Sequence, residues 1–307
     1  MSKEKVAALQ LKPKIGDLEA NLKACERLAI EAGEKGAKWI ILPEFFTTGM
    51  AFEPKIVDAI QRKDGPALQL LKDIAKKYDA YVGGSFLLRD EDGEVRNAFF
   101  LCNKDGVIGR HNKDLPTMWE NCFYVGGHDD GLITVDDQTI GVSLCWEFMR
   151  SQTAHRLRNR VDLIVGGSCW WSIPAWFPKT VTNRWERQNE ATALASVHTF
   201  APYVGAPIIH ASHIGQLQSK LPWMPISYKG HYEGATMIVD AKGNVIAKRT
   251  RQEGEGIVTA YINIGRTEPE KEIPDSYWLH SRGPLPALSW TYQRWHGQRW
   301  YRNNVAQ

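Results

Sequence analysis

Two side chains that could carry out acyl transfer stand directly after predicted strands. Cys145 follows the apolar run 140–144, and Glu44 follows the apolar run 40–43. In α/β sheets, ligands bind outside the carboxyl ends of the strands, so both positions suit a catalytic site. A cysteine thiolate can attack an electrophilic carbon. A carboxylate between Pro43 and two phenylalanines would be partly desolvated, which raises its pKa and makes it a better base toward a thiol.

Each such residue also has a simpler explanation when it is taken alone. Free cysteine is among the most buried residue types, and Cys25 and Cys102 occupy apolar positions of periodic segments. Cys122 and Cys169 lie near the predicted site but match no catalytic pattern. A glutamate after a strand is commonly a solvated loop residue or a helix cap. Lys113 lies in the polar stretch His-Asn-Lys-Asp, and no spacing distinguishes it from an ordinary surface charge.

Three motifs occur in order, each near the end of a predicted strand. They are Leu-Pro-Glu-Phe-Phe at 42–46, Asn-Lys at 112–113 followed by Glu-Asn-Cys-Phe-Tyr-Val-Gly at 120–126, and Gly-Val-Ser-Leu-Cys-Trp-Glu at 141–147. Together they resemble the ordered signatures of the nitrilase superfamily, which includes nitrilases, amidases and carbamoylases. The resemblance extends from about Val6 to Asn263 and includes the small-residue strand and hairpin at 234–245.

The resemblance implies a set of catalytic roles and a fold. Cys145 would be the nucleophile, Glu44 the general base, and Lys113 a stabiliser of the oxyanion together with the backbone N–H of Trp146. Glu120 would be the second glutamate, which positions the substrate or the attacking water. The reaction would pass through a thioester, with water completing hydrolysis and no metal or organic cofactor. The implied fold is an α/β, four-layer α-β-β-α sandwich.

The order of predicted elements is compatible with that fold. Apolar residues recur at helical spacing over 18–32 and 68–78, and strands are predicted at 6–11, 39–42, 81–89, 95–102, 107–111, 140–144, 161–165, 204–211, 235–240, 245–249 and 256–263. Asp-Gly pairs at 92–93 and 105–106 predict hairpin turns. Further helices are predicted near 151–159 and 180–199.

The chain divides by composition at about residue 265. We predict a carbon–nitrogen hydrolase domain over 1–264 and a C-terminal tail over 265–307, rich in proline, tryptophan and arginine. The tail has too few periodic apolar positions for a core of its own, so its aromatic residues suit packing on the body or on a second subunit. Disorder is the alternative for this tail, although aromatic residues are scarce in disordered segments.

Composition excludes several classes of partner. The 307 residues carry 38 basic and 35 acidic side chains, and a net charge of +3 gives no reason to expect nucleic-acid or membrane partners. No signal peptide and no membrane-spanning run are recognisable. Five widely spaced cysteines argue against a disulfide scaffold and favour a cytoplasmic setting. Three histidines, His210, His213 and His231, show no recognised metal-ligand spacing.

The motifs do not distinguish between the substrate classes of the superfamily. Cys-Trp-Glu at 145–147 resembles nitrilases, but the following Phe-Met-Arg-Ser departs from them. Many amidases and carbamoylases carry an arginine four residues after the nucleophile, where this chain has Met149, with Arg150 one position later. An amide or N-carbamoyl substrate is favoured because amidase-type activities dominate the superfamily. The alternatives are a nitrile substrate and, more remotely, a soluble acyltransferase or an inactive binding scaffold.

Tryptophans are expected around the pocket. Trp119, Trp146, Trp170, Trp171 and Trp176 fall in loops near the predicted strand ends, which suggests an apolar or aromatic small-molecule substrate. The competing interpretation is that they pack an interface or the tail. A homodimer or a larger homo-oligomer is expected from the resemblance and from the aromatic tail.

Overall fold

The computed structural model describes residues 2–174, 179–221, 224–280 and 284–306. Trp176 lies outside these residues. Two amphipathic helices flank one side of the molecule. In α1 (Leu18–Glu34), buried apolar residues recur every three or four positions, and the Asp17 side chain caps the first turn by accepting from the Ala20 N–H. In α2 (Pro66–Tyr78), proline starts the helix, where its missing N–H costs nothing.

Strands make up most of the remaining body. They are β1 (Ser2–Leu11), β2 (Trp39–Ile41), β3 (Tyr81–Arg89), β4 (Val95–Asn103), β5 (Gly106–Asn112), β6 (Leu132–Val135), β7 (Gln138–Leu144), β8 (Leu163–Ser168), β9 (Ile208–His213), β10 (Gln216–Leu221), β11 (Met224–His231), β12 (Thr236–Val239), β13 (Val245–Arg249) and β14 (Gly256–Ile264). The remaining helices are α3 (Ser151–Leu157), α4 (Lys179–Val204) and α5 (Pro284–Asn304). None of the helices in the described part of the chain has the length and apolarity needed to cross a bilayer.

The main strand path runs β5-β4-β3-β2-β1-β9-β8-β7-β6, and its two halves pack face to face. Strands β1 and β9 pair only through Gln10 with Ser212 and Leu11 with His213, which lets the halves fold over each other. Apolar residues of β1, β2 and β4 meet those of β7, β8 and β9 in the inner core. Helices α1 and α2 cover one outer face, and α3 and α4 cover the other. The predicted four-layer α-β-β-α sandwich is confirmed.

Strand directions bring four chain segments to one edge. Strands β2 and β3 run parallel, and two antiparallel steps through β4 return β5 to the same direction. Strands β7, β8 and β9 are likewise parallel to one another, and β9 is parallel to β1. The carboxyl ends of β2, β5, β7 and β8 therefore lead to Glu44, Lys113, Cys145 and Cys169 at one edge of the sandwich.

Several elements differ from the sequence prediction. The predicted strand at 204–211 begins later, because α4 continues to Val204 and β9 starts at Ile208. Strand β6 and the hairpin β10–β11 were not predicted. The C-terminal tail contains α5, which was not predicted as a helix.

Helix α5 packs on the body of the same chain. Tyr301 is buried, its hydroxyl donates to the Glu94 carboxylate, and the Val95 N–H donates to that hydroxyl over 2.8 Å. A Cβ on Gly297 would lie 2.4 Å from the Asn121 Cβ, so this helix approaches the short helical turn Met118–Cys122 too closely for any side chain there.

Candidate active site

Glu44 is held by four separate groups just beyond β2. Its Oε1 accepts hydrogen bonds from Lys113 Nζ and Asn97 Nδ2, both over 2.9 Å, and its Oε2 accepts the Cys169 N–H over 2.9 Å. His213 Nε2 lies 2.6 Å from the Glu44 carbonyl oxygen. The carboxylate is fully buried. These contacts fix its position on the sheet edge.

Lys113 joins this carboxylate to a second one. Its ammonium lies 2.9 Å from Glu44 Oε1 and 2.7 Å from Glu120 Oε2, with all three side chains inaccessible to solvent. Glu120 Oε2 also accepts the Tyr124 hydroxyl and the Thr117 N–H. Lys113 is thus a buried ion-pair partner rather than the surface charge that its polar surroundings suggested.

Cys145 sits on a sharp turn directly after β7. Its φ of 52° is left-handed, a conformation that residues other than glycine seldom adopt. The chain then turns through Cys145–Met149, a single 3-10 helical segment. The sulfur, one carboxylate oxygen of Glu44 and one of Glu120 lie within 4.8 Å of one another. The structure therefore brings together all four residues to which the resemblance assigned catalytic roles.

The electrostatics suit a neutral thiol beside a base. Burial raises the pKa of Glu44 to about 7; Lys113 opposes this rise and Glu120 adds to it. Burial and the Glu44 charge hold the pKa of the Cys145 thiol well above its usual value, although Lys113 lowers it. Burial lowers the pKa of Lys113, but the two carboxylates outweigh that effect and raise it well above its usual value.

Two physical consequences follow from these charges. Because burial and the Glu44 charge raise the pKa of the Cys145 thiol well above its usual value, the neutral thiol is favoured over the thiolate at neutral pH. The Lys113 ammonium lies between Glu44 and Glu120, where it offsets part of their negative charge. We refer to Glu44, Lys113 and Glu120 as the charged cluster.

The tryptophans predicted near the pocket fall into two groups. Trp146 and Trp170 pack with Cys145, Met149 and Ala193. From the C-terminal tail, Trp278 and Trp290 each meet Trp146 edge-on, with ring centroids 5.7 Å apart. We refer to Trp146, Trp170, Trp278 and Trp290 as the indole cluster.

Trp119 and Trp171 belong to a neighbouring apolar cluster. Their rings stack with centroids 4.3 Å apart, and Tyr228 meets the Trp119 ring edge-on. They are adjacent in sequence to Glu120 and Trp170 and therefore lie close to the site. Their rings, however, stack on each other in a cluster that does not contain Cys145. Trp146 and Trp170 are therefore the stronger candidates for substrate contact.

Several supporting residues were not predicted. Asn97 and Tyr124 contact the two carboxylates directly, and only Tyr124 lies in a recognised motif. The three histidines do not gather into one site: His210 and His213 lie against the carbonyl oxygens of Ala235 and Glu44, while His231 pairs with Glu186.

Comparison with known proteins identifies the family. The family model described as carbon–nitrogen hydrolase matches residues 5–271. A nitrilase of Pyrococcus abyssi is 28% identical over 159 residues, which span 50% of this chain and 60% of that protein. A 2-oxoglutaramate amidase of Bacillus subtilis is 24% identical over 275 residues, 88% of this chain and 95% of that protein.

Solved structures agree with the fold. A carbon–nitrogen hydrolase from Helicobacter pylori superposes with a TM-score of 0.69 at 18% identity, covering 85% of this chain and 89% of that one. A superfamily protein of Xanthomonas campestris gives a TM-score of 0.67 at 19% identity, over 86% and 91% of the two chains. With the family model covering most of its length, the chain belongs to the carbon–nitrogen hydrolase family of the nitrilase superfamily.

Proposed function

We propose that this protein is a thiol hydrolase that cleaves a non-peptide carbon–nitrogen bond of a small amide or N-carbamoyl compound through Cys145. The observation that carries the proposal is the buried charged cluster beside the sulfur: a base with a pKa of about 7, a lysine ammonium and a second carboxylate. Such an arrangement supplies proton acceptance and charge stabilisation at one point.

The proposed reaction passes through a thioester between the acyl group of the substrate and Cys145. Glu44 accepts the Cys145 proton while the sulfur–carbon bond forms, and the substrate oxygen becomes negative. The Lys113 ammonium and the Trp146 N–H stabilise that oxygen, each donor being worth about 10²–10³ in rate. Glu44 returns the proton to nitrogen as the carbon–nitrogen bond breaks, and ammonia or an amine leaves. Water, deprotonated by Glu44, then cleaves the thioester and frees the thiol.

An unused acceptor favours an amide over a nitrile. Glu120 Oε1 is buried, and it has no hydrogen-bond partner among the described residues. A buried acceptor of this kind is costly unless a donor reaches it. An amide or carbamoyl nitrogen carries N–H groups that can donate to it, whereas a nitrile nitrogen has none. The resemblance to proteins named nitrilase keeps conversion of a nitrile to an acid and ammonia as the second candidate.

The indole cluster supports a substrate with an apolar or aromatic acyl group. Trp146 and Trp170 pack in the same cluster as the nucleophile, where an acyl group bound to the sulfur would contact indole rings. We also propose that the protein is a homo-oligomer, supported by the exposed Trp185 and Leu194 on α4. A reducing, cytoplasmic setting is supported by five cysteines that are all free thiols.

The test is release of ammonia from a panel of amides, N-carbamoyl compounds and nitriles, with Cys145→Ala in parallel. The proposal predicts that the wild type releases ammonia from amides or N-carbamoyl compounds and that Cys145→Ala releases none. Release only from nitriles would select the second candidate. Amide consumption only in the presence of an added amine would indicate an acyltransferase. No reaction and no acyl-enzyme mass would indicate a binding scaffold.

A further inference from the structure

Glu147, two residues after the nucleophile, has no part in the steps above and is fully buried. Its Oε2 accepts the N–H of Leu144 over 2.8 Å, and its Oε1 accepts the N–H of Asp114 over 3.0 Å. Leu144 immediately precedes Cys145, and Asp114 immediately follows Lys113. One carboxylate therefore joins the peptide beside the nucleophile to the peptide beside the oxyanion lysine.

His111 completes this connection from β5. Its Nε2 lies 3.2 and 3.1 Å from the two Glu147 oxygens, and its Nδ1 faces the carboxylate of Asp129. Asp129 in turn accepts the Asn112 N–H over 2.8 Å. The Glu147 and Asp129 carboxylates overcome burial and raise the pKa of His111 to about 9, so the ring is a cation between two anions.

The two segments that Glu147 connects carry Cys145 and Lys113, whose separation determines whether both can act on one substrate. The left-handed backbone at Cys145 is sparsely populated and persists only where its surroundings hold it. Lys113 reaches both carboxylates of the charged cluster from a loop that leaves β5 after Asn112. Charge-assisted hydrogen bonds to a buried carboxylate are strong and directional, which suits them to fixing both segments.

We propose that Glu147 and His111 form a positioning pair that sets the separation of Lys113 from Cys145, so that attack and oxyanion stabilisation occur in one geometry. Neither residue touches the substrate. The inference rests on the proposed function, since it assigns a purpose to holding these two groups together. It predicts that loss of the pair lowers kcat and thiol reactivity while leaving KM little changed, because misplacing catalytic groups by about 1 Å can cost 10²-fold.

The test uses Glu147→Gln, which keeps the shape but removes the charge, and His111→Gln as a milder variant should the first fail to fold. We expect kcat to fall about 10- to 100-fold. The rate of Cys145 alkylation by iodoacetamide, followed by mass spectrometry, should fall in parallel. The double variant should lose no more than Glu147→Gln alone, because the two residues act as a unit.

The matched control is Asp162→Asn. Asp162 likewise accepts a backbone N–H, that of Thr139 over 2.8 Å, and pairs with the Arg266 guanidinium over 2.9 Å. It stands before β8, at the opposite end of the sheet from Cys145, so kcat and alkylation should not change.

Three results would overturn the inference. They are a folded Glu147→Gln with near wild-type kcat and alkylation, an equal kcat loss in Asp162→Asn, and additive losses in the double variant. None of these results contradicts the proposed function, provided that Cys145→Ala is inactive. Turnover that survives Cys145→Ala would remove the proposed function, and this inference with it.

Discussion

The charged cluster and the indole cluster border the same sulfur but are built in different ways. Glu44, Lys113 and Glu120 are joined by hydrogen bonds of 2.7 and 2.9 Å. Glu44 and Lys113 come shortly after strands β2 and β5, and Glu120 lies in the short helical turn Met118–Cys122. The indole cluster is joined by ring contacts with centroids 5.3–6.1 Å apart, and the C-terminal tail supplies half of it.

This difference suggests that the charged cluster determines the rate of the reaction and that the indole cluster determines which substrates bind. Charged hydrogen bonds in a dry site depend steeply on distance and angle, so they tolerate little change. Apolar packing is non-directional and can accommodate other shapes. We therefore expect changes in the charged cluster to reduce turnover of every substrate, and changes in the indole cluster to alter which substrates bind.

The largest effect is expected from the nucleophile itself. Cys145→Ala should reduce kcat by about 10⁴-fold or more, because a missing nucleophile removes the covalent route altogether. Steady-state ammonia release measures this, and Cys102→Ala is the control because Cys102 is buried in the helix-covered core. Comparable activity in both variants would mean that Cys145 is not the nucleophile.

Removal of the buried cation should damage both rate and stability. Lys113→Met leaves Glu44 and Glu120 facing each other without a counter-ion, and breaking such a buried pair costs about 3–5 kcal/mol. We expect about a 10³-fold loss of kcat and a large fall in melting temperature. Lys76→Met on the exposed face of α2 is the matched control. A well-folded, active Lys113→Met would contradict the oxyanion role.

The pH profile sharpens the description of the charged cluster. Only the ionised form of Glu44 can accept a proton, so kcat/KM should rise with pH through about 7 and then level off. Asn97 donates to the Glu44 carboxylate and favours its charged form. Asn97→Leu should therefore raise the Glu44 pKa and shift the rise of kcat/KM to higher pH by about one unit. An unchanged pH dependence of kcat/KM would show that a group other than Glu44 controls the rise.

The smallest effect is expected in the indole cluster. Trp290→Ala removes an edge-on contact with Trp146, and such contacts are worth about 0.5–1.5 kcal/mol. KM for aromatic amides should rise up to about tenfold, with little change for acetamide-sized substrates. Trp295→Ala, on the same helix but 65% exposed, is the control. Equal losses for small and aromatic substrates would place Trp290 in the chemistry instead.

Local pattern predicted much of the framework. The helical spacing at 18–32 and 68–78 and the strand run before Cys145 depend on neighbours in sequence, and all three elements were confirmed. Helix α5 was not predicted because contacts such as those of Tyr301 and Gly297 depend on partners far away in the chain. The hairpin β10–β11 likewise owes its place to Leu217 and Tyr228, which pack in the cluster around Trp119.

The sequence by itself determined the strands that precede positions 44 and 145, the order of the motifs and the residue types at 44, 113, 120 and 145. Tertiary structure alone decided that Lys113 is a buried cation between two carboxylates, that Asn97 meets Glu44, and that Glu147 meets His111. The physical reason is that burial and hydrogen bonding depend on partners many positions away in the chain. The local sequence around Lys113 is typical of an exposed lysine, and only the tertiary contacts show that it is buried with its counter-ions.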